Sequence, residues 1–286
     1  MSYYEFLGLV KEPFSTSPDP VFLYRSPEHN SALKRLEIAI RLKRGLSLII
    51  GDVGTGKTTI LRALLQEFTD DNDFIFHIIL HPTYKSEFQF LETLIKMFGI
   101  QPNTHTTHDC KEEIEKYLFR TGVEENKTIV LLIDEGQKLN TNFLEILRML
   151  LNYETNEYKL LQLVIMSQME LLPKIKRIKN FYDRVTLKYI INPLDENETR
   201  EMIEFRLNAA GLPPGKQLFT PGSMKRIFYY TQGYPRRIAV LCHNALEEMI
   251  IDEGKVVDED IIQKIVKREA VFDSYGLTGR TPAAFY

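Results

Sequence analysis

The sequence has few cysteines, no long apolar segment and little net charge. Its two cysteines, Cys110 and Cys242, lie far apart and form neither a disulfide framework nor a metal-ligand spacing, which favours a reducing compartment. No apolar run approaches the roughly 18 to 20 residues that cross a bilayer, and the N-terminus has no signal-peptide pattern. The net charge of −3 argues against binding nucleic acid through bulk charge but is compatible with a local basic face. We therefore expect a cytoplasmic protein without a membrane span.

The first two thirds of the chain alternate apolar strands with amphipathic helices. Runs without polar alternation, such as 128–133, are typical of parallel strands that are covered by helices on both faces. The predicted strands are 46–50, 74–80, 128–133, 161–166 and 185–191, and the predicted helices are 31–43, 60–68, 87–98, 111–118 and 143–151. This order predicts an α/β fold with a doubly wound parallel sheet.

Beyond Pro193 the pattern changes to helices alone. Asp195 and Glu198 have the spacing of a capping box, and early prolines with late glycines bracket the next helices at 221–233 and 235–254. The sequence therefore predicts an irregular N-terminal arm at 1–30, an α/β core at 31–193, a small helical domain at 194–270 and a C-terminal tail at 271–286.

A phosphate-binding loop lies between the first strand and the next helix of this core. It matches G-x-x-x-x-G-K-[ST] and consists of Gly51, Asp52, Val53, Gly54, Thr55, Gly56, Lys57, Thr58 and Thr59. Its glycines allow successive backbone N–H groups to point at phosphate oxygens at a helix N-terminus. Lys57 is placed to reach the β- and γ-phosphates, and the Thr58 hydroxyl is placed to ligate Mg²⁺. The strand–loop–helix context favours nucleoside triphosphate binding over a chance glycine-rich turn.

Two acidic residues directly follow the strand 128–133. Asp134 is placed to hold Mg²⁺ through water, and Glu135 is placed to orient or deprotonate an attacking water. An acidic pair after an apolar strand is often only a polar strand end, but its position after a phosphate-binding loop favours the catalytic interpretation. The two carboxylates thus predict a nucleotide hydrolase.

The next buried strand ends in Ser167 and Gln168. A polar side chain there would lie between the phosphate-binding loop and the acidic pair, near the γ-phosphate. Gln168 is therefore a candidate for holding the attacking water or sensing the phosphate, and a plain strand-end polar residue is the alternative.

The densest basic stretch spans 174–179 and continues with Arg184 and Lys188. Three interpretations compete for it: a solvated cationic surface, an arginine that completes a neighbouring subunit's active site, and a nucleic-acid contact. Arg184, immediately before the fifth strand, is the best candidate for such an arginine finger, and Arg177 is the second. A finger would couple hydrolysis to oligomerisation.

Arg236 lies in the first turn of a predicted helix, next to Pro235. A cation is disfavoured there by the helix dipole, which suggests an anion nearby, and the nucleotide phosphates are the obvious one. A surface arginine is the alternative. The six histidines show no ligand or relay spacing.

Together these motifs resemble the AAA+ ATPases. The resemblance becomes more specific in the N-terminal arm, which is similar to the ExeA/GspA-type secretion ATPases at Tyr4, Phe6, Gly8, Leu9, Pro13, Phe14, Pro18, Asp19, Pro20, Phe22, Leu23, Tyr24, His29, Ala32, Leu33 and Leu36. In that family the sensor strand commonly ends Gly-Gln-Pro-Glu-Leu; here Ser167 and Met169 replace the glycine and the proline, whereas Gln168 is kept. The resemblance implies a P-loop NTPase core of five strands, a helical lid, Mg-ATP as substrate and self-assembly into a ring or helical filament.

The family resemblance leaves three functions open. The leading one is an ATPase that drives or regulates a secretion, pilus or exopolysaccharide export system. Such a protein would be recruited to the inner membrane face by a partner protein. It would resemble the short relatives in this family, which lack the membrane span and the wall-binding module. The second is a DNA-associated regulator of the TniB/TnsC transposition type. The basic stretch supports this function, whereas the negative net charge of the chain opposes it. The third is an ATP-held scaffold that scarcely turns over, which Glu135 makes less favourable.

Overall fold

The computed structural model describes residues 3–15, 20–101 and 106–276, and the side chains of residues 3–15, 21–101 and 106–270. Pro18, Asp19 and residues 277–286 of the predicted tail lie outside these ranges. The chain divides into two compact units. One comprises Pro27–Asn192, and the other joins Met1–Ser26 to Pro193–Tyr286.

The first unit is a five-stranded parallel sheet with helices. Its strands are β1 (Leu46–Gly51), β2 (Phe74–Ile79), β3 (Thr128–Ile133), β4 (Leu161–Ser167) and β5 (Val185–Ile191). Its helices are α2 (Pro27–Arg41), α3 (Lys57–Glu67), α4 (Glu87–Met97), α5 (Thr107–Phe119), α6 (Thr141–Leu150), α7 (Leu171–Arg177) and α8 (Lys179–Tyr182), after a short helix α1 (Tyr3–Phe6) that belongs to the other unit. The predicted α/β fold with a parallel sheet is thus confirmed.

The strand order is β2-β3-β4-β1-β5. The three central strands are buried along their whole length, which explains why their sequences show no polar alternation. Because all strands are parallel, the carboxyl ends of β3, β4 and β1 meet at one edge of the sheet. The phosphate-binding loop, the acidic pair and Gln168 therefore share that edge.

The second unit is helical and includes the described part of the N-terminal arm. Its later helices are α9 (Glu196–Ala209), α10 (Pro221–Thr231), α11 (Pro235–Ile251) and α12 (Glu259–Gly276). The predicted capping box is present: the Asp195 side chain accepts from the Glu198 backbone N–H at 2.8 Å, and the Glu198 side chain accepts from the Asp195 N–H at 3.0 Å. None of the described helices is long and apolar enough to cross a membrane.

Apolar side chains of the arm lie in the core of this helical unit. Leu7, Leu9, Phe14 and Phe22 are buried together with the apolar faces of α9 to α12. A backbone hydrogen bond also links the arm to the end of α9: the Val10 N–H donates to the Ala210 carbonyl at 2.8 Å. Burial of these side chains fixes the described part of the arm to the helical unit.

Several local features differ from the sequence-based expectation. The helix predicted at 111–118 begins at Thr107, because Thr106 and Asp109 form a capping box there. The helix predicted at 31–43 begins at Pro27, because proline is favourable in the first helical turn, where no intrahelical N–H bond is needed. The basic stretch 174–179 lies in α7 and α8, two short helices that were not predicted. Such short helices depend on tertiary packing, here of Leu171, Ile175 and Phe181 in the core.

Candidate active site

The phosphate-binding loop leaves β1 at Gly51 and enters α3 at Lys57. Gly56, the residue before the helix, has a left-handed backbone with φ of 96°. A side chain there would be strained, and its Cβ would lie 2.7 Å from His29 Nε2. The loop therefore requires glycine at this position for two separate reasons.

Lys57 lies inside the curl of the loop. Its Nζ donates to the carbonyl oxygens of Gly51 and Asp52, each at 2.7 Å. Burial lowers the pKa of Lys57, while the nearby carboxylates of Asp134 and Asp52 oppose that shift. Backbone oxygens at the end of β1 thus hold the ammonium group of Lys57 in place. Lys57 is the first residue of α3, and the N-terminus of a helix favours anions.

Thr58 and Asp134 lie together, as expected for two groups that share a metal ion. The Thr58 hydroxyl donates to Asp134 Oδ2 at 2.7 Å, and Asp134 Oδ1 accepts from the Glu135 N–H at 2.8 Å. Asp134 is 5% exposed. Within the part of the chain that the structure describes, no three His, Cys, Asp or Glu side chains form a metal site. One hydroxyl and one carboxylate oxygen suit Mg²⁺, which takes most of its other ligands from phosphates and water, so these residues fit the ion.

Glu135 has a left-handed backbone and two neighbours with nitrogen donors, Lys138 and His81. Its φ is 51° and its ψ is 40°, in the left-handed region that few non-glycine residues adopt. Its Oε2 accepts from Lys138 and, at 2.9 Å, from His81 Nδ1. Lys138 first and His81 second lower the pKa of Glu135, so its carboxylate is ionised over the neutral range.

Neither His81 nor Lys138 stands out as a site residue in the sequence. His81 follows β2 at the same sheet edge where Glu135 follows β3, and β2 pairs with β3. The histidine pattern gave no indication of this contact, because spacing along the chain does not report neighbours across a sheet. Only the pairing of β2 with β3 could have indicated that His81 lies beside Glu135.

Gln168 lies at the end of β4, between the strands that carry the loop and the acidic pair. It is half-buried, and its backbone N–H donates to Gln137 Oε1 at 3.2 Å. The position agrees with the location that the sequence implied. Contact of its side chain with a phosphate or a water stays a prediction.

The basic stretch is not uniformly solvated. Lys174 Nζ donates to the carbonyl oxygens of Gln137 at 2.6 Å and Leu139 at 3.2 Å. Arg177 is exposed in the last turn of α7, whereas Arg184 is half-buried and donates from Nη1 to the Arg148 carbonyl at 3.1 Å. The predicted role of either arginine in a neighbour's site stays a prediction.

Arg236 belongs to the helical unit. It is exposed in the first turn of α11, next to Pro235. Its predicted interaction with nucleotide phosphates stays a prediction.

His29 supports the phosphate-binding loop from α2. It is 5% exposed, and its Nε2 lies 2.8 Å from the Thr55 carbonyl oxygen. Because a carbonyl only accepts, the Nε2 atom carries the proton in this bond. His29 thereby fixes the loop one residue before Gly56, beside the backbone groups expected to bind phosphate.

We expect His29→Ala to weaken nucleotide binding about tenfold, a change of about 1.4 kcal/mol. The physical reason is that a buried carbonyl without its donor costs about 1–3 kcal/mol, which favours other loop conformations. Titration with a fluorescent nucleotide measures the dissociation constant. His77→Ala is the matched control, since His77 is a half-buried histidine on β2 that contacts Phe98. An unchanged affinity in His29→Ala would show that the loop holds its shape without this histidine.

Comparison with known proteins agrees with this geometry. Residues 40–175 match the model of the AAA domain family. The chain is 33% identical over 246 residues to General secretion pathway protein A of Aeromonas hydrophila; the match covers 85% of this chain and 44% of that protein. The chain thus spans less than half the length of this curated relative.

Solved structures show the same fold at low identity. ORC2 of Aeropyrum pernix, in ADPNP and ADP complexes, matches with a TM-score of 0.64 and 16% identity over 90% of this chain and 71% of its own. Drosophila ORC bound to DNA matches with a TM-score of 0.67 and 19% identity, and the match covers 92% of this chain and 65% of that chain. The RuvB branch migration motor of Thermotoga maritima matches with a TM-score of 0.56 and 14% identity, and the match covers 86% of this chain and 72% of that chain. The chain therefore carries an AAA domain, which makes it an ATPase, and its sequence is similar to that of the ExeA/GspA-type secretion ATPases.

Proposed function

We propose that this ATPase hydrolyses Mg-ATP at the sheet edge described above, self-assembles when ATP is bound, and thereby drives or regulates a secretion, pilus or exopolysaccharide export system. The observation that carries the process is the 33% identity, over 85% of the chain, to General secretion pathway protein A. The proposed location is the cytoplasm, with recruitment to the inner membrane face by a partner protein.

The proposed chemistry is attack of water on the γ-phosphorus. Backbone N–H groups of Gly54 to Thr58 and the Lys57 ammonium bind the phosphates and oppose the negative charge that develops on them. Thr58 and Asp134 would hold Mg²⁺, which, when bound, neutralises charge on the phosphate oxygens. Glu135 accepts a proton from the attacking water, and the bond to the β-phosphate oxygen breaks to leave ADP and phosphate. Gln168 is placed to orient that water.

The proposed assembly supplies the remaining positive charge. Arg184 of a neighbouring subunit would reach the γ-phosphate, so each site would be complete only between two copies of the chain. A head-to-tail arrangement of this kind closes into a ring or continues as a helical filament. Turnover per subunit should then rise with protein concentration, and light scattering should show assembly with ATP that reverses as ATP is consumed.

Deleting the gene in its native host tests the proposed process. We expect loss of a secreted protein, a pilus or a surface polymer, restored by the wild-type gene but not by the Glu135→Gln gene. Normal secretion and a normal cell surface in the deletion strain would contradict the proposal, whereas the ATPase itself would still stand on turnover measured with the purified protein.

Association with DNA is the second candidate function. It is favoured by the exposed cations Lys176, Arg177 and Lys179, which lie close together on α7 and α8. Binding through such cations should weaken steeply as salt rises. Under the leading proposal, duplex DNA neither binds at low salt nor stimulates turnover; under the second, it does both, and replacing the three cations with alanine removes both effects.

A further inference from the structure

The turn that follows Glu135 is fixed to strand β4 by close packing. Its residues Gly136–Lys138 form a short 3-10 helix directly after Glu135. A Cβ at Gly136 would lie 2.4 Å from Ile165 Cγ2, so the backbone of the turn rests directly on the strand. Glu135 itself holds the left-handed conformation, which persists only where the surroundings impose it.

The Gln137 side chain forms the second attachment of this turn. Its Oε1 accepts from the Ser167 hydroxyl at 3.3 Å and from the Gln168 backbone N–H at 3.2 Å. One amide oxygen thus joins the residue two places after Glu135 to the end of β4, where Gln168 lies.

The Lys174 side chain forms the third attachment. Its Nζ donates to the carbonyl oxygens of Gln137 and Leu139, at 2.6 and 3.2 Å. Lys174 belongs to α7, whose last turn carries Arg177. The turn after Glu135 therefore contacts both the end of β4 and helix α7 through hydrogen bonds.

We propose that Gln137 and Lys174 are positioning residues for hydrolysis, which hold the turn after Glu135 so that its carboxylate stays directed at the attacking water. A displacement at the end of β4, or of α7, then changes the position of Glu135 through these bonds. The proposal rests on the proposed role of Glu135 as the base. Under this proposal Gln137, the second residue after the acidic pair, and Lys174 of the basic stretch influence hydrolysis without contacting the nucleotide.

Two substitutions to methionine remove these attachments; methionine matches the length of the Gln137 side chain and is one atom shorter than that of Lys174. We expect Gln137→Met and Lys174→Met each to lower kcat by about 10-fold to 100-fold, since small displacements of a catalytic group have effects of that order. The dissociation constant for ATP and the KM should stay within about twofold, because neither residue belongs to the phosphate-binding loop. Lys174→Arg, which keeps a cationic donor, should recover part of the rate. The double variant should lose less than the product of the single losses, because both residues hold one turn.

Gln162→Met is the matched control for a purely structural role. Gln162 is a buried glutamine near the start of β4, at the end of the strand opposite Gln168, where its Oε1 accepts from the Gly45 N–H at 2.7 Å. We expect a lower melting temperature in this variant but an unchanged kcat below that temperature.

Glu135→Gln in the same assay separates the two proposals. An active Glu135→Gln enzyme would overturn the role of Glu135. An inactive Glu135→Gln enzyme beside normal kcat in Gln137→Met and Lys174→Met would overturn the positioning proposal alone. A parallel loss of nucleotide binding, or failure of both methionine variants to fold, would also overturn it by assigning these residues a general structural role.

Discussion

Glu135→Gln is expected to abolish steady-state hydrolysis while leaving ATP binding intact. Glutamine keeps the length of the side chain but cannot accept the proton of the attacking water, and the loss of a general base typically lowers kcat by roughly 10² to 10⁴-fold. The change leaves Lys57 and the loop, the groups proposed to bind the phosphates, untouched. The variant should therefore accumulate in the ATP-bound, assembled form, measured as slow phosphate release with normal nucleotide affinity.

Glu113→Gln is the matched control for this prediction. Glu113 pairs with Lys116 three residues later on α5, the same spacing at which Glu135 pairs with Lys138. Its loss removes one carboxylate–lysine pair without touching the sheet edge. Normal phosphate release in Glu135→Gln would assign the base to another group, whereas a reduced rate in Glu113→Gln would point to a general effect of lost ion pairs.

The phosphate-binding loop and the order of the elements were predictable from sequence for a physical reason. A loop that wraps phosphate needs particular residues at consecutive positions. Gly56 shows why: its backbone is left-handed, and an added Cβ would lie 2.7 Å from His29 Nε2. Buried parallel strands likewise show continuous apolar runs, so that the ends of 128–133 and 161–166 could be expected at one sheet edge.

Contacts between distant segments could not be predicted in this way. His81 reaches Glu135 only because β2 lies beside β3, and Lys174 reaches the Gln137 carbonyl only because α7 packs beside the turn after Glu135. A lysine in a basic run is usually solvated, and nothing in the run 174–179 distinguishes the one that binds backbone. The sequence therefore indicated residues that line the sheet edge, and the fold was needed to show which distant residues contact them.

Arg184→Ala is expected to lower turnover by roughly 10³ to 10⁵-fold, the effect measured where an arginine finger has been removed. In the structure Arg184 uses one guanidinium donor on the Arg148 carbonyl, at 3.1 Å, and is half-buried, so its other donors are available for a neighbouring subunit. ATP affinity of the isolated chain should change little, because the finger acts on a site in another copy. Arg177→Ala, the exposed second candidate, should lose far less activity.

Mixing two inactive variants tests whether Arg184 acts between subunits. An Arg184→Ala subunit keeps Glu135, and a Glu135→Gln subunit keeps Arg184, so an interface between the two in one orientation contains both groups. In an equal, random mixture roughly a quarter of head-to-tail interfaces (one half times one half) have that composition, and activity should recover to about that fraction. No recovery, in mixtures that light scattering shows to assemble, would mean that Arg184 acts within its own subunit or is not the finger. Recovery with Arg177→Ala in place of Arg184→Ala would move the role to α7, directly beside Lys174 and the turn that holds Glu135.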